Sequence, residues 1–249
     1  MLFRSRLVTD RIIKDNSLNV DPPPATSFFQ RAWDKNESVA KATLNTPFMQ
    51  GIAKDNLFPV AYGTMTVKDA HYCYHGATSF EIARIRAESF HKAETALIKL
   101  LTDLTASYKE YNDYFRDPWH ILMPDTIIPT TVSQGYVNHE RRVANYEHPI
   151  YTLVAMLPCY YLWFWMADSL WKHRDNPLYG FWIKGNHSSR SAYTIGNFID
   201  KWQKDKKPFD EKTAFNIYEK SMRFEQKMFE EEHSAAQLER ILEVLNHGK

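Results

Sequence analysis

Residues 150–170 read IYTLVAMLPCYYLWFWMADSL. Almost every residue from Ile150 to Ala167 is apolar or aromatic. A helix built from this stretch is hydrophobic nearly all round, so it either crosses a membrane or lies at the centre of a bundle. Its length is close to the roughly 20 residues a membrane span needs. Pro158 interrupts the run, Asp168 ends it, and no second stretch resembles it, which favours the buried core helix. Pro158 should kink this helix and free backbone carbonyls one turn earlier. Thr152, Met156, Cys159, Trp163, Met166 and Leu170 fall on one face. A thiol in the middle of a kinked aromatic helix marks a pocket wall.

The rest of the composition agrees with a helical enzyme-sized domain. The chain has 249 residues and a formal charge of +1, which implies no polyanionic partner. It lacks the basic stripe of a nucleic-acid binder. Two cysteines, Cys73 and Cys159, are too few for a disulfide framework and fit a reducing, cytoplasmic setting. Eight glycines and many aromatics argue against all-β and dinucleotide-binding folds. There is no Gly-rich phosphate loop, no paired-cysteine motif and no His-Glu-x-x-His motif.

Working outward, residues 1–24 read as an extension closed by Pro22-Pro23-Pro24. Residues 25–249 read as one all-α domain. Phe28, Phe29, Ala32, Trp33, Val39 and Ala40 form a helical stripe. Thr46-Pro47 opens a short helical turn, and Pro59 opens a long helix. That helix carries Tyr62, Met65, Asp69, Tyr72, Gly76, Phe80 and Ala83 on one side. Helix is expected to continue from Ala87 to Leu104. Residues 112–129, with three prolines, read as a long connection. Val132–Val143 and Ser189–Lys204 read as helices, and Asp210 caps a last helix expected to run to about Asn246. Its inward face is Tyr218, Met222, Glu225 and Phe229.

Three ionisable groups therefore interrupt apolar faces: Asp69, Cys159 and Glu225. A buried carboxylate must find donors or take up a proton. Each has a bland reading, as a hydrogen-bonded core acid or an inert buried thiol. Each also has a sharp one, as a nucleophile with acids that move protons near neutrality. Tyr72 and Tyr136 accompany them. Glu88-x-x-His91 with Glu94, and Glu230-x-x-His233, have the spacing of a di-iron bundle, though both also suit solvated helix surfaces.

Four segments in order resemble the TenA/thiaminase II family. They are Thr46-Pro47-Phe48-Met49-Gln50-Gly51-Ile52, Lys68-Asp69-Ala70-His71-Tyr72, Leu157-Pro158-Cys159-Tyr160-Tyr161-Leu162 and Asn176-Pro177-Leu178-Tyr179-Gly180-Phe181-Trp182-Ile183. The resemblance spans residues 27–245 and implies a single haem-oxygenase-like helical bundle. It implies a homo-oligomer, dimer or tetramer, that hydrolyses a C–N bond of a small aminopyrimidine from thiamin or its breakdown, with no cofactor, metal, nucleic acid or membrane. By the same resemblance Cys159 is the nucleophile, Asp69 binds the ring and assists attack, and Glu225 shuttles protons. Tyr72 orients the acid–base group and Tyr136 lines the pyrimidine pocket. The sequence departs from the family at Trp163 and Asn186, where tyrosines are usual, and at Lys68. Trp163 adds bulk and removes a hydroxyl. Asn186 stands where it could hydrogen-bond Glu225. These departures keep open a non-catalytic binding protein, and the paired Glu/His spacing keeps open a di-iron oxidase.

Overall fold

A computed structural model describes residues 20–89 and 94–231. Among these residues the regular elements are helical: α1 (Phe28–Leu44), α2 (Pro47–Ala53), α3 (Pro59–Glu88), α4 (Thr95–Trp119), α5 (Thr131–Tyr146), α6 (Ile150–Ser169), α7 (Gly180–Asn186), α8 (Arg190–Lys204) and α9 (Glu211–Glu231). Single 3-10 turns follow α4 at Pro124–Thr126 and α6 at Trp171–His173.

The helix starts follow from local chemistry. The first amides of a helix lack intrahelical partners, and a short polar side chain supplies one. Ser27 accepts from Gln30 N at 3.2 Å, Thr130 from Ser133 N at 3.1 Å and Asp210 from Thr213 N at 2.8 Å. Pro47 and Pro59 occupy first turns, where a missing N–H costs nothing.

The all-apolar helix α6 is the axis. It is packed by α1, α3, α5, α7, α8 and α9. Ile150 through Pro158 is buried without a break. It is the one helix among the described residues long and apolar enough to cross a membrane, and most of it is enclosed by protein. Pro158 lies inside the helix without ending it. The segment before α1 also packs: Pro23 is buried, and Asn197 on α8 donates to the Asp21 carbonyl at 2.8 Å.

Two boundaries differ from the sequence reading. Helix α4 runs on to Trp119, so much of residues 112–129 is helix and not connection. Leu97, Leu101, Leu104, Tyr108 and Phe115 form one buried stripe, and burying it outweighs the bond lost at Pro118 in the last turn. His120, at φ 53°, then closes the helix by donating to the Phe115 carbonyl. The expected continuity of helix from Ala87 is cut at Glu88, and residues 90–93 lie outside the described set. The last helix is described to Glu231, so its expected run to Asn246 also lies outside.

Helices α3 and α4 meet at Gly76. A methyl group there would stand 2.6 Å from Tyr108 Cε1 and 3.0 Å from Met156 Cε, so the glycine lets the Tyr108 ring approach the α3 backbone closely. Gly63, on the same helix, has open space around it. Gly63→Ala should stabilise the protein by up to about 1 kcal/mol through helix propensity. Gly76→Ala should destabilise it by about 1–3 kcal/mol through overpacking, despite the same propensity gain. Urea unfolding of the two variants checks this; equal stabilisation would show that Tyr108 yields freely.

Candidate active site

Helices α3, α4, α6 and α7 enclose a cavity of about 180 Å³. A dry cavity of roughly 150 Å³ admits benzene, so this one suits a single substituted aromatic ring. Tyr62 and Asp69 reach it from α3, Tyr108, Tyr111, Tyr114 and Phe115 from α4, Cys159 and Trp163 from α6, and Phe181, Trp182 and Asn186 from α7. Asp69 is the one ionisable carboxyl among these lining residues, and no Lys or Arg is among them.

The α7 wall is held by the α2–α3 loop. Asp55, at φ 58°, accepts from the amides of Leu178 at 3.0 Å and Tyr179 at 2.8 Å. Tyr179 donates to the Leu57 carbonyl at 2.7 Å, and Asn176 to the Ala53 carbonyl at 3.1 Å. Gly180 is needed here, because a Cβ would sit 2.4 Å from the Arg174 carbonyl oxygen. These contacts explain why the Asn176–Ile183 segment has the sequence it has.

Asp69 faces Cys73, whose thiol donates to it at 3.8 Å. Burial, and then the charge of Glu225, push the Asp69 carboxyl up to about 7. Cys159 receives a long contact from the Tyr108 hydroxyl at 3.9 Å. Burial, with Glu225 and Asp69 nearby, pushes its thiol well above the ordinary range. Glu225 is 3% exposed. It accepts from the Tyr136 hydroxyl at 2.9 Å and from Trp163 Nε1 at 3.2 Å. The Cys159 thiol lies close enough for each group to shift the other. Burial still raises Glu225 to about 7 against these donors.

The expected residues thus fall into three layers. Asp69, Cys159, Trp163 and Asn186 line the cavity. Glu225 is not on the wall but directly behind it, bonded to Trp163 and close to Cys159. Tyr136 and Tyr72 lie deeper. Tyr136 does not line the cavity; it stacks on Phe224 at 5.4 Å and holds Glu225. Tyr72 orients neither Asp69 nor Glu225 directly, and donates instead to Glu140 at 2.7 Å. Asn186 does not reach Glu225: its amide donates to the Trp182 carbonyl at 2.8 Å, and the bulky Trp163 has taken the place beside the acid.

Sequence reasoning missed Glu140 and the α4 aromatics. Glu140 sits four residues after Tyr136 on a buried face with Val137, Val143 and Ala144, which was a readable signal. The spacing Tyr108, Tyr111, Phe115 was also readable, but Pro118 obscured it. Of the paired Glu/His candidates, His91 and His233 lie outside the described residues. Glu88 pairs with Arg84, Glu94 with Lys207, and Glu230 accepts from Gln226. Among the described residues no cluster of three metal-binding side chains occurs.

No family model and no curated protein matches the sequence. Solved structures do match. A TenA homologue from P. horikoshii is 19% identical, with a TM-score of 0.67 over 83% of this chain and 98% of its own. A TenA homologue from Pyrococcus furiosus is 13% identical, with a TM-score of 0.70 over 83% of this chain and 100% of its own. Haem oxygenase-1 from Synechocystis, solved in complex with haem, is 14% identical, with a TM-score of 0.55 over 90% of this chain and 100% of its own. The chain therefore has the all-α fold that these proteins share.

The two acids leave a pH signature on stability. Unfolded, Asp and Glu titrate near 4; folded, Asp69 and Glu225 titrate near 7. Between those values the folded chain holds more protons, so this pair's contribution falls as pH rises and is fully lost above 7. His71, His75, His139 and His148 work in the opposite sense, since burial lowers them and acid must charge them. The difference between wild type and the Asp69→Asn/Glu225→Gln variant isolates the carboxyls. The variant's advantage in Tm should be several degrees larger at pH 8 than at pH 5. An advantage that is flat or shrinks with pH contradicts the assignment.

Proposed function

We propose that this protein is a TenA/thiaminase II-like hydrolase that replaces an amino group on a small aminopyrimidine with hydroxyl. The observation that carries the reading is the placement of Cys159. Its thiol opens onto an aromatic cavity beside Asp69, with Glu225 behind it and near enough to shift it. The family resemblance at Asp69, Cys159 and Asn176–Ile183, and the shared fold of the TenA homologues, lend further support.

In this reading the aminopyrimidine stacks among the tyrosines and Trp163, and Asp69 hydrogen-bonds its ring nitrogen or amino group. The thiol is too buried to ionise alone, so its proton passes to Glu225 as sulfur bonds to the ring. A carboxyl near 7 is matched to that exchange at neutral pH. The C–N bond then breaks and the amine leaves with a proton from Asp69. Water supplies the hydroxyl and returns the proton to Asp69; the carbon–sulfur bond breaks and Glu225 returns its proton to sulfur. The balance is R–NH2 plus water giving R–OH plus ammonia. Among the described lining residues none is basic, which disfavours phosphorylated substrates.

A second reading has one observation in its favour. The Trp163 indole stands between Glu225 and the cavity, which suits a protein that binds the heterocycle without turning it over. Ammonia release from an aminomethylpyrimidine separates the two. Wild type should hydrolyse it, Cys159→Ala should lose at least ~10³-fold in kcat/KM, and both should bind it in calorimetry. Equal rates in wild type and Cys159→Ala would remove the nucleophile, and binding without turnover in wild type would select the binding protein.

A further inference from the structure

Behind Glu225 the interior holds another acid that the reaction above does not use. Glu140 on α5 is 0% exposed and does not line the cavity. Its Oε1 accepts from the Tyr72 hydroxyl at 2.7 Å. Its Oε2 is buried and has no hydrogen-bond partner among the described residues. Among the described residues no ion pair reaches it. The groups facing it are Tyr72 and Cys73 on α3, Tyr108 on α4, Tyr136 on its own helix, Cys159 on α6 and Glu225 on α9, none of them cationic.

A carboxylate with one oxygen sealed away from every donor bears the full desolvation penalty. A neutral acid does not, provided the bare oxygen is its carbonyl. The geometry therefore puts a proton on Oε1, with the Tyr72 hydroxyl turned to accept it and to donate toward Tyr136. Burial acts in the same direction. From there two tyrosine hydroxyls lead on, both of them close to Glu140. The Tyr72 hydroxyl lies 3.5 Å from the Tyr136 hydroxyl, which donates to Glu225 Oε1 at 2.9 Å.

We propose that Glu140 is a proton store for Glu225, linked to it through the hydroxyls of Tyr72 and Tyr136. The transfer balances. Glu140 gives its proton to Tyr72, Tyr72 gives its own to Tyr136, and Tyr136 gives its own to Glu225. One proton leaves one carboxyl and one arrives at the other, and both phenols are restored. With the proton parked on Glu140, Glu225 stays ionised and ready for the Cys159 thiol. Glu140 touches no ligand, so it is a positioning residue that acts through Glu225. The inference rests on the hydrolase reading for its purpose but not for the location of the proton.

Two measurements test it. In infrared spectra at pH 8, a protonated-carboxyl band that shifts in D2O should be present in wild type, lost in Glu140→Gln and retained in Tyr72→Phe. A band unchanged by Glu140→Gln overturns the proposal, whether or not the protein is active. In hydrolysis, Glu140→Gln should lower kcat about tenfold with KM unchanged, less than the ~10²-fold of a direct acid–base group. Tyr72→Phe should do the same, and the double variant should be no slower than either single one, since the line is already cut. Losses that multiply would mean separate packing effects and overturn the relay. Absence of turnover in wild type would remove the hydrolase reading while the infrared result still decides where the proton sits.

Discussion

A helix that is apolar on every face has no side to offer to water, and the architecture follows from enclosing it. Helix α6 touches six of its neighbours, and its first nine residues are buried without interruption. Burying a large apolar side chain is worth about 1.5–3 kcal/mol, and α6 presents many. Toward its C-terminal half the enclosure is incomplete. There Cys159, Tyr160 and Trp163 are half-buried because they face a cavity and not another helix. The site is thus the part of the α6 surface that the bundle leaves unfilled.

The chemistry of that gap follows from its charges. Asp69, Glu140 and Glu225 share one interior, and a neighbouring cation is engaged elsewhere. Lys68, adjacent in sequence to Asp69, points away and pairs with Glu231, which Thr130 also holds at 2.7 Å. With no cation among the described lining residues, burial favours the protonated forms of the acids and of the thiol. In the proposed reaction such a site works by handing one proton between neighbours. This differs from the thiolate-forming sites in which a histidine or helix N-terminus lowers a cysteine pKa.

The features legible in the sequence were those with a local signal. The α6 run, the proline-started helices and the acids on the faces of α3 and α9 all express periodicity or capping. What periodicity cannot convey is depth. Asp69 and Glu225 looked equivalent as acids on apolar stripes, yet one opens onto the cavity and the other stands behind Trp163. Asn186 was within reach of Glu225 by analogy, but a carbonyl one turn earlier satisfies its amide first. Glu140 was hidden differently: Arg141 and Arg142 follow it in a polar-looking stretch, and only packing against α3 and α9 turns that carboxyl inward. Helix α4 shows tertiary burial overriding a proline signal.

Trp163 is where fold and chemistry pull in different directions. Its ring packs 5.7 Å from Trp182 and 5.4 Å from Phe229, so it joins α6 to α7 and α9. Its N–H simultaneously holds one oxygen of Glu225. A tyrosine at this position would leave the acid a titratable neighbour; an indole leaves it a fixed donor that never accepts a proton. Among the described residues the exchangeable neighbours of Glu225 are then the Tyr136 hydroxyl, which donates to it, and the nearby Cys159 thiol. In the proposed reaction the sulfur atom is then where the proton of Glu225 meets the ligand. The cavity-facing acid, Asp69, must then do whatever proton chemistry the ligand itself requires, so the division of labour between the two carboxyls is set by one indole.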